Sequence, residues 1–300
     1  MKSARVVLIG EPNVGKSSIV NAVVGEQVSV VTDISGTTRQ EILGIKQGKN
    51  GLGEEYQIIF MDTPGMLRQK KTLLDKHMAR SISNALASAD VILYVLDATD
   101  IREEFITKVK NYEHSGKPLI IAVNKTDRSN FNKLYPKLQK LNSLNFVHAI
   151  IPTSCKNSDN INVLESEIAK LIFSFEPLEQ GSMEKFDEDM YTTQSIKDMS
   201  IEIIRGELLK NLFEEIPHGV TVSIIDWIET NSEVEIKAEI YCDKPSHKPI
   251  IIGKKGSILK QVGMAARLQI QELLGKHVKL YTHVLVRENW KNKEDFVSST

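Results

Sequence analysis

Short apolar runs alternate with amphipathic segments over about the first 175 residues. Five runs rich in branched side chains each end in a polar turn, and they cover 4–10, 56–62, 91–97, 118–124 and 147–152. Segments with apolar positions three to four residues apart lie between them, at 16–25, 71–89, 101–115 and 160–173. This alternation predicts an α/β domain with a mostly parallel sheet and helices on both faces.

A different order of elements follows a polar stretch at 176–182. It comprises a helix at 195–215, two alternating strands at 220–229 and 233–242, a further helix, and a last strand near 278–286. This order predicts a smaller α+β domain. The expected boundaries are 1–176 for the first domain, 177–194 for a linker, 195–293 for the second domain and 294–300 for a tail.

Composition narrows the class of protein. The chain has 300 residues, of which 41% are hydrophobic and 26% charged, as in an ordinary globular protein of two domains. No apolar run approaches the ~20 residues that cross a bilayer. Two cysteines, Cys155 and Cys242, make no disulfide framework. We therefore expect a cytosolic protein, and not an integral membrane protein, a secreted scaffold or a disordered chain.

Charge is distributed unevenly, although the formal net charge is only −1. Residues 176–243 hold 5 basic and 17 acidic side chains, whereas residues 244–293 hold 11 basic and 2 acidic ones. The second block would attract a nucleic-acid backbone. A basic surface that contacts only solvent would have the same counts, so charge alone does not decide between nucleic-acid binding and an ordinary surface.

A glycine-rich turn lies between the first strand and the first helix. Residues 10–17 read Gly-Glu-Pro-Asn-Val-Gly-Lys-Ser and match the pattern G-x-x-x-x-G-K-[ST] in the context that it requires. The glycines let backbone N–H groups surround phosphates. Lys16 supplies charge to the β- and γ-oxygens, and Ser17 offers its hydroxyl to Mg²⁺. This segment, the phosphate loop, predicts a nucleotide site.

Three further turns follow in order at strand ends. In residues 62–65 (Asp-Thr-Pro-Gly), the aspartate can hold Mg²⁺ through water and the glycine N–H can sense a γ-phosphate. Residues 124–127 (Asn-Lys-Thr-Asp), the guanine loop, end in a carboxylate that can accept hydrogen bonds from guanine N1–H and the 2-amino group. Adenine has no such donor pair. Residues 154–156 (Ser-Cys-Lys) suit backbone contact to guanine O6. The predicted ligand is a guanine nucleotide.

Residues 35–39 (Ser-Gly-Thr-Thr-Arg) are the predicted switch segment. A threonine there can complete the Mg²⁺ shell when GTP is bound and withdraw after hydrolysis. Thr38 is favoured over Thr37 for this role. Arg39 could act as an arginine finger, although a solvent-facing charge is the favoured interpretation.

This set of motifs resembles the translation-factor-related small GTPases over about residues 1–175. The residue after Asp-x-x-Gly is often a glutamine in Ras-like enzymes, where it orients water. Here it is Met66, which cannot hydrogen-bond water usefully. The resemblance implies that Asn13 helps to hold a monovalent cation near the phosphates. We therefore expect slow hydrolysis that K⁺ stimulates.

The motifs and the resemblance together define the predicted nucleotide site. The residues assigned to GTP are Gly10, Glu11, Pro12, Asn13, Val14, Gly15, Lys16, Ser17, Ser18, Asp62, Thr63, Pro64, Gly65, Met66, Asn124, Lys125, Thr126, Asp127, Ser154, Cys155 and Lys156. The catalytic and switch residues are Asn13, Lys16, Thr37, Thr38 and Gly65. The Mg²⁺ ligands are Ser17, Thr38 and, through water, Asp62.

A second glycine turn lies inside the basic block. Residues 250–258 read Ile-Ile-Ile-Gly-Lys-Lys-Gly-Ser-Ile, and apolar residues at helical spacing follow. Together with the helix–strand–strand order before it, the turn resembles that of a type II KH domain, in which a G-x-x-G loop clamps a nucleic-acid backbone. An unrelated α+β cap is the alternative. The predicted RNA-binding residues are Ile252, Gly253, Lys254, Lys255, Gly256 and Lys260.

A GTPase of this type joined to a C-terminal KH domain is the arrangement of the Era family, which the chain resembles over nearly its whole length. Residues 186–192 are similar to the family's interdomain motif, with Asp187 in place of the usual proline and Thr193 in place of the usual aspartate. Cys155 replaces the commoner alanine of the guanine-contacting turn, with little expected effect.

The resemblance implies a Mg²⁺-dependent GTPase that binds the 3′ end of 16S rRNA and assists small-subunit assembly. It also implies control of RNA access by the nucleotide, and a cytoplasmic monomer with a peripheral membrane contact. One alternative is a GTP-gated RNA-binding module with negligible hydrolysis. A tRNA-modification or double-GTPase factor is disfavoured, because the chain has a single GTPase domain. Trp290 in the basic tail could stack a base or lie in the core.

Overall fold

The computed structural model describes residues 1–32, 34, 38–66, 71–174 and 185–297. The chain divides into two compact units. The first unit comprises Met1–Ser29, Thr38–Arg68 and Met78–Thr193, and the second comprises Val30–Thr37, Gln69–His77 and Gln194–Thr300. The predicted switch residue Thr37 lies outside the described residues.

The first unit is built on a six-stranded sheet. Its strands are β1 Lys2–Ile9, β2 Ile42–Lys49, β3 Glu55–Asp62, β4 Val91–Asp97, β5 Leu119–Asn124 and β6 Val147–Pro152. Their order is β2-β3-β1-β4-β5-β6, with β2 antiparallel to β3 and every other pair parallel. The phosphate loop and the guanine loop both follow carboxyl ends of parallel strands, where α/β sheets bind their ligands.

Five helices cover the two faces of this sheet. They are α1 Lys16–Val24, α2 Leu73–Ser88, α3 Glu103–Lys110, α4 Phe131–Asn142 and α5 Ile161–Ser174. Buried apolar side chains of α1 and α5 share one core with the sheet, and those of α2, α3 and α4 share another. The predicted α/β class is confirmed, because strands buried on both faces need helices on both sides.

The hydrophobic pattern does not predict two of these elements. Strand β2 carries two glycines, Gly44 and Gly48, which weaken the strand signal. Helix α4 contains Pro136, a residue that usually ends a helix. Asn130 still starts this helix, because its side chain accepts a hydrogen bond from Asn132 N.

The second unit contains a three-stranded sheet. Its strands β7 Val220–Glu229, β8 Glu233–Cys242 and β9 His277–Val286 lie in that order, with β7 antiparallel and β9 parallel to β8. The helices are α6 Ile196–Asn211, α7 His247–Ile252, α8 Ser257–Leu274 and α9 Glu294–Val297. Buried residues of α6 and α8 form one core with alternate strand residues. The strand limits predicted at 220–229 and 233–242 are confirmed to the residue.

Part of the predicted linker packs along an edge of the first sheet. Ile45 N donates to Tyr191 O at 2.9 Å, and Thr192 Oγ1 donates to Leu43 O at 2.8 Å. Gly44 and Thr192 form an antiparallel bridge. This segment therefore covers the exposed edge of β2, while residues 177–184 of the predicted linker lie outside the described residues. Within the described parts of the chain, every helix is too short or too polar to cross a membrane.

Candidate nucleotide and RNA sites

The phosphate loop packs tightly against two strand ends. Gly10 has a φ of 154°, and a Cβ there would lie 2.4 Å from Val95 O. Gly15 has a φ of 99°, and a Cβ there would lie 2.1 Å from Asn124 Nδ2. Both positions require glycine, because of the positive φ and because of the close approach. The loop is thereby fixed against β4 and against the start of the guanine loop.

Lys16 is buried inside this loop. Its Nζ donates to the carbonyl oxygens of Gly10 at 3.3 Å and Glu11 at 3.1 Å. Burial lowers the pKa of Lys16 to about 8, although the charges of Asp62 and Glu11 oppose the shift. A buried ammonium group that is held by neutral carbonyl oxygens is well suited to an anionic ligand.

Three oxygen-bearing side chains meet at the C-terminal end of the loop. Ser17 Oγ donates to Asp62 Oδ2 at 2.6 Å and lies 3.1 Å from Thr38 Oγ1. Burial raises the pKa of Asp62, against the hydrogen bond from Ser17 and the charge of Lys16. Asp62 Oδ1 is buried and has no hydrogen-bond partner among the described residues. Hard oxygen donors around an unpaired buried carboxylate oxygen fit Mg²⁺.

The guanine loop is tied to its neighbours through side chains. Asn124 Nδ2 donates to Val14 O at 3.1 Å, and its Oδ1 accepts from Cys155 N at 3.3 Å. Asp127 Oδ1 accepts from Ser154 Oγ at 2.7 Å. The structure thus brings together three motifs, of which the phosphate loop is more than 100 residues from the other two in the sequence. Burial raises the pKa of the Cys155 thiol to about 12, so this side chain stays protonated at neutral pH.

The segment that begins at Asp62 returns to the phosphate loop. A Cβ at Gly65 would lie 2.9 Å from Pro12 Cα. Met66 N donates to Gly10 O at 3.1 Å. Both residues therefore lie against the loop through backbone atoms, and the thioether of Met66 gives the site no strong hydrogen-bonding group for water.

The second glycine turn connects α7 to α8 in a left-handed conformation. Gly253 has a φ of 76°, and a Cβ there would lie 2.8 Å from Ile258 N. Lys255 and Gly256 also have positive φ values, of 52° and 78°. Lys254 and Lys255 are exposed. The turn therefore presents two lysines on backbone that a ligand can approach closely.

A groove of about 350 Å³ runs beside this turn, between α8 and β9. It is lined by Gly256, Leu259, Lys260, Gly263, Met264, Arg267, Leu280 and Thr282. Arg267 Nε is buried and has no hydrogen-bond partner among the described residues. The predicted residue Ile252 packs instead against the core of the unit. An apolar floor with cationic groups at its rim can hold bases and a phosphate backbone.

Ion pairing divides the basic block into two groups. On the sheet, Lys276 pairs with Glu229 at 2.6 Å and Lys279 pairs with Glu233 at 2.7 Å. Across the described residues, no carboxylate pairs with the cations of the turn and groove, which are Lys254, Lys255, Lys260 and Arg267. The cations of the turn and groove therefore keep their charge unpaired among the described residues, whereas acidic strand residues pair with Lys276 and Lys279.

Comparison with known proteins identifies a domain in each part of the chain. A family model described as a 50S ribosome-binding GTPase matches residues 5–125, and a KH domain model matches residues 215–291. The chain is 34% identical to GTPase Era of Ruminiclostridium cellulolyticum, across 99% of this chain and 96% of that protein. The chain belongs to the Era family of GTPases. GTPase Era of Alkaliphilus metalliredigens is 36% identical, across 99% and 98% of the two chains.

Solved Era structures resemble this Era-family chain over its full length. An Aquifex aeolicus Era variant bound to GDP·AlF₄⁻ matches with a TM-score of 0.88 at 33% identity, covering 99% of this chain and 98% of that one. An Era in complex with MgGDPNP and nucleotides 1506–1542 of 16S ribosomal RNA matches with a TM-score of 0.85, at the same identity and coverage. The expected pairing of a GTPase domain with a C-terminal KH domain is confirmed.

The structure decides the position of two further residues of this Era-family GTPase. Arg39 is only 8% exposed, so the interpretation as a solvent-facing charge is wrong. Trp290 is fully buried, and its Nε1 donates to Gly219 O at 3.0 Å. Of the two alternatives for Trp290, the structure selects the core.

Of the groove residues outside the turn, the sequence analysis predicts Lys260 and misses the others. Met264 and Arg267 follow Lys260 by four and seven residues, which places them on the same face of α8. This helical spacing from Lys260 is the sequence feature that could have identified Met264 and Arg267. Leu280 and Thr282 come from β9, and nothing local to their sequence connects them to the glycine turn.

Proposed function

We propose that this GTPase is a Mg²⁺-dependent switch that binds 16S rRNA near its 3′ end through its KH domain and assists small-subunit biogenesis. The observation that carries the nucleotide part is the convergence on one loop of a buried lysine, an unpaired carboxylate oxygen and the guanine loop. Lys16 Nζ donates to the loop carbonyl of Gly10, and Asp62 and Asn124 contact the loop at Ser17 and Val14. No single segment of the chain carries this arrangement.

Different groups of the site bind the phosphates, the guanine base and Mg²⁺. Backbone N–H groups of the phosphate loop and the Lys16 ammonium hold the phosphates, and Asp127 accepts hydrogen bonds from guanine. Ser17 and Thr38 would hold Mg²⁺ directly and Asp62 through water; the ion neutralises charge on the β- and γ-oxygens. Thr37, which the sequence also places in the switch, lies outside the described residues.

Water for hydrolysis must be positioned without a glutamine after Gly65. We infer that Asn13 holds K⁺ near the phosphates, where the cation offsets charge that develops in the transition state. Asn13 has a φ of 63°, so the backbone of the loop makes a left-handed bend at this residue. Turnover should be several-fold faster in K⁺ than in Na⁺, and Asn13→Ala should reduce this preference. Equal turnover in both salts would exclude the cation role.

The unpaired cations of the second unit support the RNA part of the proposal. Lys254, Lys255 and Lys260 can contact consecutive phosphates, while bases enter the groove between α8 and β9. Arg267, with its buried unpartnered Nε, can donate to a base edge inside the groove. The 16S rRNA fragment bound to the related Era supports the choice of RNA.

The make-up of the second unit supports control of RNA binding by the nucleotide. This unit includes Val30–Thr37, which precedes Thr38, and Gln69–His77, which follows Gly65 and Met66 closely in the chain. Within the unit, Leu73 N donates to Asn292 Oδ1 at 3.0 Å. Val30 packs directly against Gly206 of α6, since a Cβ on Gly206 would lie only 2.4 Å from Val30 Cγ1. Movement of Thr38, or of Gly65 and Met66, would therefore be transmitted along the chain to segments that belong to the KH unit.

The proposal also takes the protein to be a cytoplasmic monomer with a peripheral membrane contact, on the basis of the family resemblance. Gel filtration tests the oligomeric state. Sedimentation with anionic vesicles at about 0.1 M salt tests the membrane contact.

Titration of an RNA fragment from the 3′ end of 16S rRNA tests the switch. The full chain would be titrated without nucleotide, with GDP and with a non-hydrolysable GTP analogue, all at one salt concentration. Binding at least ~10-fold tighter with the analogue corresponds to about 1.4 kcal/mol of coupling, as a switch requires. Tight binding that does not depend on the nucleotide would exclude the switch. The absence of binding in all three states would exclude this RNA as the target.

A further inference from the structure

Glu11 of the phosphate loop has a side chain to which the proposed function gives no role. Its carboxylate is only 12% exposed, and its Oε1 lies 2.6 Å from Lys108 Nζ on α3. The backbone carbonyl of the same residue accepts a hydrogen bond from Lys16 Nζ at 3.1 Å. Two lysines therefore contact residue 11, one at the carboxylate and the other at the carbonyl oxygen.

Helix α3 fixes the position of Lys108. Glu104, one turn earlier on the helix, also pairs with Lys108 Nζ, at 2.9 Å. The Lys108 ammonium lies 5.4 Å from the centre of the Phe105 ring. The pKa of Lys108 is raised, chiefly by the hydrogen bond to Glu11. Lys108 is therefore a permanent cation beside the phosphate loop.

The carboxylate of Glu11 places a negative charge in a loop that must bind negatively charged phosphates. Without Lys108 it would be a largely buried anion without its counter-ion, which is costly. The other cation in contact with residue 11 is Lys16, and the charge of Glu11 already opposes part of the lowering of the Lys16 pKa by burial. An unneutralised Glu11 would attract the Lys16 ammonium and would also repel the incoming phosphates.

We propose that Lys108 is a positioning residue for the nucleotide: by neutralising Glu11, it leaves Lys16 available to the phosphates. This inference rests on the proposed function, because it takes the loop as the GTP site. Loss of Lys108 should weaken the binding of a triphosphate more than that of a diphosphate, since the γ-phosphate adds negative charge.

Substitution of Lys108 in the full chain tests the proposal. Lys108→Met keeps the length of the side chain and removes its charge. Its affinity for a non-hydrolysable GTP analogue should fall about 10-fold, or ~1.4 kcal/mol, with a smaller loss for GDP. Lys108→Arg should retain most of the affinity. Lys110→Met, on the same helix, is the matched control, because Lys110 has no ion-pair partner among the described residues.

A double variant distinguishes charge neutralisation from a purely structural role. Glu11→Gln combined with Lys108→Met removes both charges and should restore most of the affinity that Lys108→Met loses. The double variant leaves no buried unpaired anion, so it also serves if the single variant is unstable.

Wild-type affinity in Lys108→Met, or no recovery in the double variant, would overturn this inference alone. If the wild-type protein bound neither nucleotide, the proposed function would fail, and this inference with it.

Discussion

The two lysines inside the second glycine turn should account for a defined part of the salt dependence of RNA binding. Lys254 and Lys255 are exposed and have no ion-pair partner among the described residues. A single-stranded nucleic acid releases about 0.7 counterions for each phosphate that is neutralised. Lys254→Gln with Lys255→Gln should therefore reduce the slope of log affinity against log salt by about 1.4. At about 0.1 M salt this corresponds to roughly 25-fold weaker binding, or about 1.9 kcal/mol.

The matched control lies in the same basic block. Lys276 and Lys279 are held by Glu229 and Glu233, so they have little charge to offer to RNA. Lys276→Gln with Lys279→Gln removes the same formal charge and should change the slope by much less than 1, about a quarter of the effect in the turn. The assay is a fluorescence anisotropy titration of a labelled 16S 3′-end fragment at several salt concentrations. Equal changes of slope in the two double variants would refute the reasoning and would indicate attraction by the basic block as a whole.

Three further predictions concern the nucleotide site and the KH core. Asp127→Asn replaces one of the two carboxylate oxygens that accept from guanine with an NH₂ donor, so GTP affinity measured in competition titrations should fall about 100-fold or more; xanthosine triphosphate, which has a carbonyl in place of the 2-amino group, should recover much of the affinity, whereas ATP should stay weak. Gly15→Ala places a Cβ 2.1 Å from Asn124 Nδ2 and should abolish GTP binding; RNA binding measured without nucleotide should persist, and loss of both activities would indicate misfolding. Trp290→Phe removes the hydrogen bond to Gly219 O and should lower the free energy of unfolding by about 1–3 kcal/mol in urea titrations; weaker RNA binding by the folded variant would contradict the assignment of Trp290 to the core.

The elements that the sequence predicts well are those with a strong local cause. Alternating residues define β8 to the residue, because one face of the strand is buried and the other is not. The limits of β7 are also as predicted, although its register shifts between Ile224 and Asp226 and its last residues are largely exposed. The phosphate loop is equally local, since its glycines, lysine and serine all act within eight residues. The edge strand β2 and the proline-containing helix α4 lack such a signal.

The site depends more heavily on contacts between distant residues. Asn124 and Val14 are joined across 110 positions, and Lys108 and Glu11 across 97. The motifs indicate that the first pair should meet, because both belong to known loops. Nothing in the sequence indicates the second pair, because an isolated lysine on an amphipathic helix is usually a solvated charge.

The sequence by itself determined the class of both domains, the guanine nucleotide and the position of the second glycine turn, because these follow from local patterns and from motifs at strand ends. The tertiary structure decided which lysines of the second unit pair with a carboxylate and which keep their charge for RNA. Lys276 and Lys279 are neutralised across the sheet, whereas Lys254 and Lys255 are not. It also placed Arg39 and Trp290 in the interior. The physical reason is that burial and ion pairing depend on residues far apart in the chain, which only the packed fold brings together.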